Sequence, residues 1–130
     1  MSRMKDIIEE RIKKHKEEMC YIESCDIKEE VAYFFEESLL TQLLDSRRYK
    51  FIATSDRFVE MFRWCIETKY DKRFKVLDVD KLFISIVDEI KSYVEDIDYF
   101  TVKSNTLSQY NVSTQATFEI FICIDPEIFI

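Results

Sequence analysis

No glycine occurs among the 130 residues, and proline occurs once, at Pro126. Glycine reaches positive φ without steric cost and lets a backbone come close to a phosphate or an acyl carbonyl. A chain that lacks it has no Gly-rich phosphate loop, no dinucleotide fingerprint and no nucleophile elbow. Turns that need positive φ must fall to Asn or Asp, and Asn105 and Asn111 are the expected positions. The expectation of phosphate or acyl chemistry drops accordingly.

Hydrophobic residues make up 47% of the chain and aromatic residues 15%, too much for a disordered tail. At this length a core forms without staples, and a single compact domain over residues 1–130 is expected. The net charge of -7 argues against non-specific adhesion of the whole molecule to nucleic acid or an anionic membrane. Cys20, Cys25, Cys65 and Cys123 are scattered without a short-loop framework, as free thiols would be. The first residues are charged, with no apolar signal region, and no apolar run approaches the roughly 20 residues of a membrane span. The expected setting is cytoplasmic or otherwise intracellular, not secreted, with no membrane partner. The abundance of Ile, Phe, Lys, Glu and Asp is compatible with A/T-rich coding, as in viral, plasmid-borne or low-GC genomes.

Helical spacing recurs in four segments. In residues 4–22, Met4, Ile8, Ile12, His15 and Met19 form one narrow stripe, suited to a peripheral helix or a subunit contact. The second helix starts at Asp26, with Glu29 in the N3 position of a capping box, and ends near Asp45 or Ser46. Its face runs through Val31, Phe34, Leu39 and Leu43. Thr54, Ser55 and Asp56 offer caps for a third helix that buries Phe58, Val59, Phe62, Cys65 and Ile66. The fourth, after Asp78 or Asp80, keeps Leu82, Phe83, Ile86, Val87, Ile90, Tyr93 and Val94 on one side. Strand patterns fall near residues 49–53, 74–77, 98–103 and 115–124. In the last, Phe118, Ile120, Ile122 and Ile124 alternate with Phe121 and Cys123, so an interior strand covered on both faces is expected before Asp125-Pro126 ends it. The fold class is α+β: about four helices packed on a small, largely antiparallel sheet of three to four strands, with the C-terminal strand interior.

Residues that carry chemistry are poorly focused. One histidine, His15, excludes histidine-rich metal triads and paired-histidine acid–base sites, and it reads as a surface imidazole among lysines. Asp78 with Asp80, and Asp96 with Asp98, have the spacing of acidic metal-binding pairs, but each also flanks the fourth helix, where the first pair suits the helix dipole. They are weak metal candidates. Glu67-Thr68-Lys69 and Glu89-Ile90-Lys91 match half of a metal-dependent nuclease site, yet on helices residues two apart do not face the same way. No catalytic residue and no cofactor is assigned.

The basic middle is more suggestive. Arg47, Arg48, Lys50, Arg57, Arg63, Lys72 and Arg73 are interspersed with Trp64 and Tyr70, a mixture suited to contacting a protein or stacking on bases. The tail Ile128-Phe129-Ile130 should pack on its own domain or on a neighbour. The reading these features support is a small acidic interaction or oligomeric accessory protein without catalytic activity. Its partner is another protein or a second copy of itself, as in a homodimer. One alternative is a nucleic-acid-binding protein using residues 47–75; another is a small metal-dependent hydrolase or nuclease using the clustered carboxylates.

Overall fold

The computed structural model describes residues 2–18, 20–107 and 116–130, so Met19 and Asn111 lie outside the described residues. In chain order the elements are α1 (Arg3–Glu18), β1 (Cys20–Tyr21), α2 (Ile27–Phe34), β2 (Lys50–Thr54), α3 (Ser55–Tyr70), β3 (Phe74–Lys75), α4 (Val79–Val94), β4 (Phe100–Thr106) and β5 (Phe118–Ile124). The fold is α+β. β5 is central in a three-stranded antiparallel sheet of order β2-β5-β4, while β1 and β3 form a separate parallel ladder. The strand expected at 74–77 is thus two residues long and stands outside the main sheet.

Register fixes what each sheet face carries. Phe51, Ile122 and Val102 lie side by side, as do Ala53, Ile120 and Ser104. This face meets the helices, and Ile120, Ile122 and Ile124 are buried in one core cluster with Phe34, Phe58, Phe62, Phe83, Ile86 and Ile90. Aromatic rings link the layers. Phe34 stands edge-on to Phe58 at 5.4 Å, Phe58 meets Phe83 at 5.8 Å, and Phe83 stacks on Phe118 at 5.6 Å. The other face carries Lys50, Ile52, Thr54, Thr101, Lys103, Glu119, Phe121 and Cys123. There Ile52 is 62% exposed and Phe121 and Cys123 are half-buried, so the helices cover one face and not both. The flanking strands explain the difference, because they set Lys and Thr beside Phe121 and Cys123.

The helix-forming sequence does what its spacing predicts, with two departures. α2 begins at Asp26, whose carboxylate accepts the Glu29 N–H, and then widens into π-type turns at Phe35–Leu39 and Thr41–Asp45. Buried positions Phe34 and Leu39 are five residues apart, a step that an i→i+5 turn keeps on one face and a 3.6-residue turn does not. α1 ends at Glu18 and not at residue 22, because Cys20 and Tyr21 pair with Phe74 and Lys75 and deliver Ile22 fully buried into the core. None of the described α1 side chains is buried; Met4, Ile8 and Ile12 are exposed and Ile7 is half-buried.

Left-handed backbone falls where glycine would ordinarily stand. Among the described residues it is held by Arg47 (φ 53°), Tyr49 (φ 62°) and Asp71 (φ 50°), at the exits of α2 and α3. Asn105 does not serve; it lies in β4 opposite Glu119. The demand for positive φ comes from helix ends. No described helix is long and apolar enough to cross a membrane.

Candidate functional site

The burial pattern of α3 decides what it shows to solvent. Phe58, Val59, Phe62 and Ile66 face the core, which turns Trp64 and Thr68 outward, and Trp64 is 58% exposed. Asp71, in the left-handed conformation, closes the helix with its N–H on the Glu67 carbonyl. The next residues, Lys72 and Arg73, leave the helix axis and are both exposed. The Glu67 carboxylate pins this turn: it accepts the Phe74 N–H at 2.9 Å and Arg63 Nη1 at 3.1 Å.

Between the end of α1 and this part of α3 opens a cleft of about 1130 Å³. It is lined by His15 from α1, by Trp64, Glu67, Thr68 and Tyr70 from α3, and by Asp71, Lys72 and Arg73 from the turn. A second hollow of about 340 Å³ on the α2 side shares Trp64 and Thr68 with it and adds Tyr33, Ser38, Met61 and Cys65. Trp64 is therefore the ridge between two concavities.

Beneath the cleft lies a buried carboxylate. Glu30 of α2 is 2% exposed and is held by Lys69 Nζ at 3.1 Å and by the Tyr70 hydroxyl, which donates to Glu30 Oε1. The Lys69 ammonium also stands 4.6 Å from the Tyr33 ring centre and 4.9 Å from that of Tyr70. Partial desolvation pulls the Lys69 pKa down, but the hydrogen bond and charge of Glu30 outweigh it and leave the group above its ordinary value. The hydrogen bond to Glu30 raises the Tyr70 phenol. Burial raises the Cys25 and Cys65 thiols, with neighbouring Cys20 adding to the first and the Glu37 charge to the second. Thiols shifted this way stay protonated at neutral pH and are poor nucleophiles.

The sequence-predicted contact residues separate into four groups. Trp64, Tyr70, Lys72 and Arg73 come together at the cleft. Arg63 is occupied by Glu60 and Glu67. Arg47, Arg48 and Lys50 lie where α2 ends and β2 begins, whereas the cleft lies where α2 begins, since Glu30 meets Lys69 there. At 1.5 Å per residue the helix between Glu30 and Asp45 separates the two groups by roughly 20 Å. Arg57 sits exposed in the first turns of α3. The segment 47–75 does not form a continuous basic surface.

The carboxylate candidates part in the same way. Asp78 caps α4 through the Lys81 N–H, and Asp80 accepts the Thr117 hydroxyl at 2.9 Å. Asp96 and Asp98 are exposed beyond the other end of α4, so the pairs stand roughly 24 Å apart and share no ion. Among the described residues no group of three or more His, Cys, Asp or Glu is placed to hold a metal. Sequence reading did not single out Glu30, met Glu67 only in the Glu67-Thr68-Lys69 triplet, and gave His15 no place in a site. Glu30 meets its partners 39 and 40 residues away, and no local pattern announces that.

No protein-family model, curated protein or solved structure matches the chain.

Proposed function

We propose that this is a non-catalytic interaction protein whose α1–α3 cleft takes an acidic protein segment bearing large apolar side chains. One observation carries the reading: exposed Trp64 and Tyr70 line the same cleft as Lys72 and Arg73, neither of which makes an ion pair among the described residues. Trp, Tyr and Arg are the side chains that concentrate binding energy at protein interfaces. The lining is formally balanced, Lys72 and Arg73 against Glu67 and Asp71, but Glu67 is held by Arg63 and the Phe74 N–H. That leaves two cations and one carboxylate without an ion pair among the described residues, on a chain of net charge -7. Two unpaired cations beside one unpaired carboxylate favour an acidic segment locally, without the extended basic track that a phosphate backbone needs.

Trp64 is the chain's one tryptophan, so its emission reports occupancy directly. Titration with a Glu-Tyr copolymer is expected to shift and quench that emission. Lys72→Glu with Arg73→Glu should weaken the response about tenfold or more, with an unchanged far-UV spectrum because both residues are exposed. A response to oligo-dT alone, falling steeply with salt, would move the assignment to single-stranded nucleic acid. Silence with both probes would remove the cleft as a binding site.

A further inference from the structure

The same chain carries a segment with the chemistry that the cleft selects. Asp125 ends β5, its carboxylate accepts the Glu127 N–H at 3.0 Å, and Pro126–Phe129 form a single 3₁₀ turn. The turn holds two exposed acids, Asp125 and Glu127, beside three exposed large apolar residues, Ile128, Phe129 and Ile130. Phe129 leans on Tyr49 with ring centres 5.2 Å apart; Ile128 remains 44% exposed and Ile130 wholly so. Neither Asp125 nor Glu127 makes an ion pair among the described residues.

We infer that residues 125–130 of one copy dock in the α1–α3 cleft of a second. Ile128 and Ile130 meet Trp64 and Tyr70, and Asp125 and Glu127 face Lys72 and Arg73. Asp125 and Glu127 are opposite in sign to Lys72 and Arg73, and Trp64, Tyr70, Ile128 and Ile130 are all exposed. With Phe129 packed on Tyr49, the folded turn does not make this contact within its own molecule. Tyr49, which anchors the tail, follows the end of α2, roughly 20 Å from where Glu30 marks the cleft. The contact therefore joins two different surfaces, head to tail. This inference rests on the cleft being a docking site and names its occupant.

Sedimentation of the full chain over a range of concentrations tests it. The mass is expected to rise above that of one 15.8 kDa chain, with a parallel change in Trp64 emission. Two variants break opposite halves of the contact: Trp64→Ala in the cleft, and Ile128→Ser with Ile130→Ser in the tail. Both change exposed residues, and an unchanged melting midpoint checks their folding. Each alone should associate about tenfold or more weakly. Mixed, they should form a one-to-one complex, since the first keeps an intact tail and the second an intact cleft.

A wild-type chain that stays monomeric overturns the inference. So does a tail variant that associates as well as wild type, which would shift attention to the exposed stripe of α1. If the Glu-Tyr copolymer still binds at Trp64 while the chain stays monomeric, the tail assignment fails and the cleft survives. If neither binding nor association is seen, both fail.

Discussion

At the scale of single residues, the most exacting requirement in the molecule is Glu30. A carboxylate 2% exposed is tolerated only because Lys69 and Tyr70 both reach it. Removing one member of such a pair does more harm than removing both, because the survivor keeps its desolvation cost without its partner. Lys69→Met is therefore expected to lower the thermal midpoint clearly. Adding Glu30→Met should recover most of that loss, even though it changes a second residue of the same site. Thermal unfolding of the two single variants and the double variant decides it. A double variant no more stable than Lys69→Met would mean that Glu30 does not depend on the pair. Tyr93 shows how burial acts on a group with a weaker tether. Desolvation, aided by the Glu89 charge, pushes its phenol up to about 12, while its hydroxyl donates to the Lys28 carbonyl. Between the ordinary value near 10 and about 12, the folded chain holds a proton that the unfolded chain has released. Stability from this residue is thus complete below pH 10 and is lost as the pH climbs through that window. The urea midpoint should fall there for wild type and fall less for Tyr93→Phe.

At the scale of elements, Phe58 is the joint of the core. Its ring meets Phe34 of α2, Phe51 of β2 and Phe83 of α4, so one side chain couples two other helices and the sheet. Phe58→Ala is expected to cost about 3–5 kcal/mol, because three separate elements cannot all collapse into the space. Equilibrium urea unfolding measures it, and a loss below about 1 kcal/mol would show that the site relaxes freely. This joint was legible in the sequence: Phe58, Val59, Phe62 and Ile66 keep helical spacing, as do Leu82, Phe83, Ile86 and Ile90, and the alternation in β5 is unbroken. Local periodicity reports burial whenever an element shows one consistent face to the core. It fails where tertiary pairing overrides it. Cys20 and Tyr21 fall within the stretch 4–22 that reads as helix but are drawn into a ladder with residues more than fifty positions away. The five-residue step from Phe34 to Leu39 leaves the backbone to absorb a mismatch that the pattern alone does not display. The cleft was half legible. Trp64, Tyr70, Lys72 and Arg73 stand close together in sequence, but His15 joins them only because α1 ends near α3. The separation of Arg47, Arg48 and Lys50 from that group follows from the antiparallel course of α2 and α3.

At the scale of the whole molecule, electrostatics opposes the head-to-tail contact that its local chemistry favours, and magnitudes decide which prevails. Two bodies of charge -7 with centres about 35 Å apart repel by roughly 6 kcal/mol in water without salt. Screening reduces this to about 2 kcal/mol at 10 mM ionic strength, where the Debye length is about 30 Å, and to a few tenths near 0.1 M. Exposed pairs between Lys72 or Arg73 and Asp125 or Glu127 contribute only about 0.2–1 kcal/mol each, but they act at contact distance and weaken more gradually as salt rises. Association should therefore strengthen as ionic strength rises from 10 mM toward about 0.1 M, pass through a maximum, and weaken slowly beyond it. Reversing the cleft charges with Lys72→Glu and Arg73→Glu removes the local attraction and adds to the net negative charge. The weakening limb should then vanish, leaving self-association that is poorer at every salt concentration and rises monotonically. Sedimentation of both proteins across a salt series reads the two curves directly. A wild-type association constant that falls steadily from the lowest salt would mean that local attraction outweighs the repulsion of the two bodies even at about 10 mM.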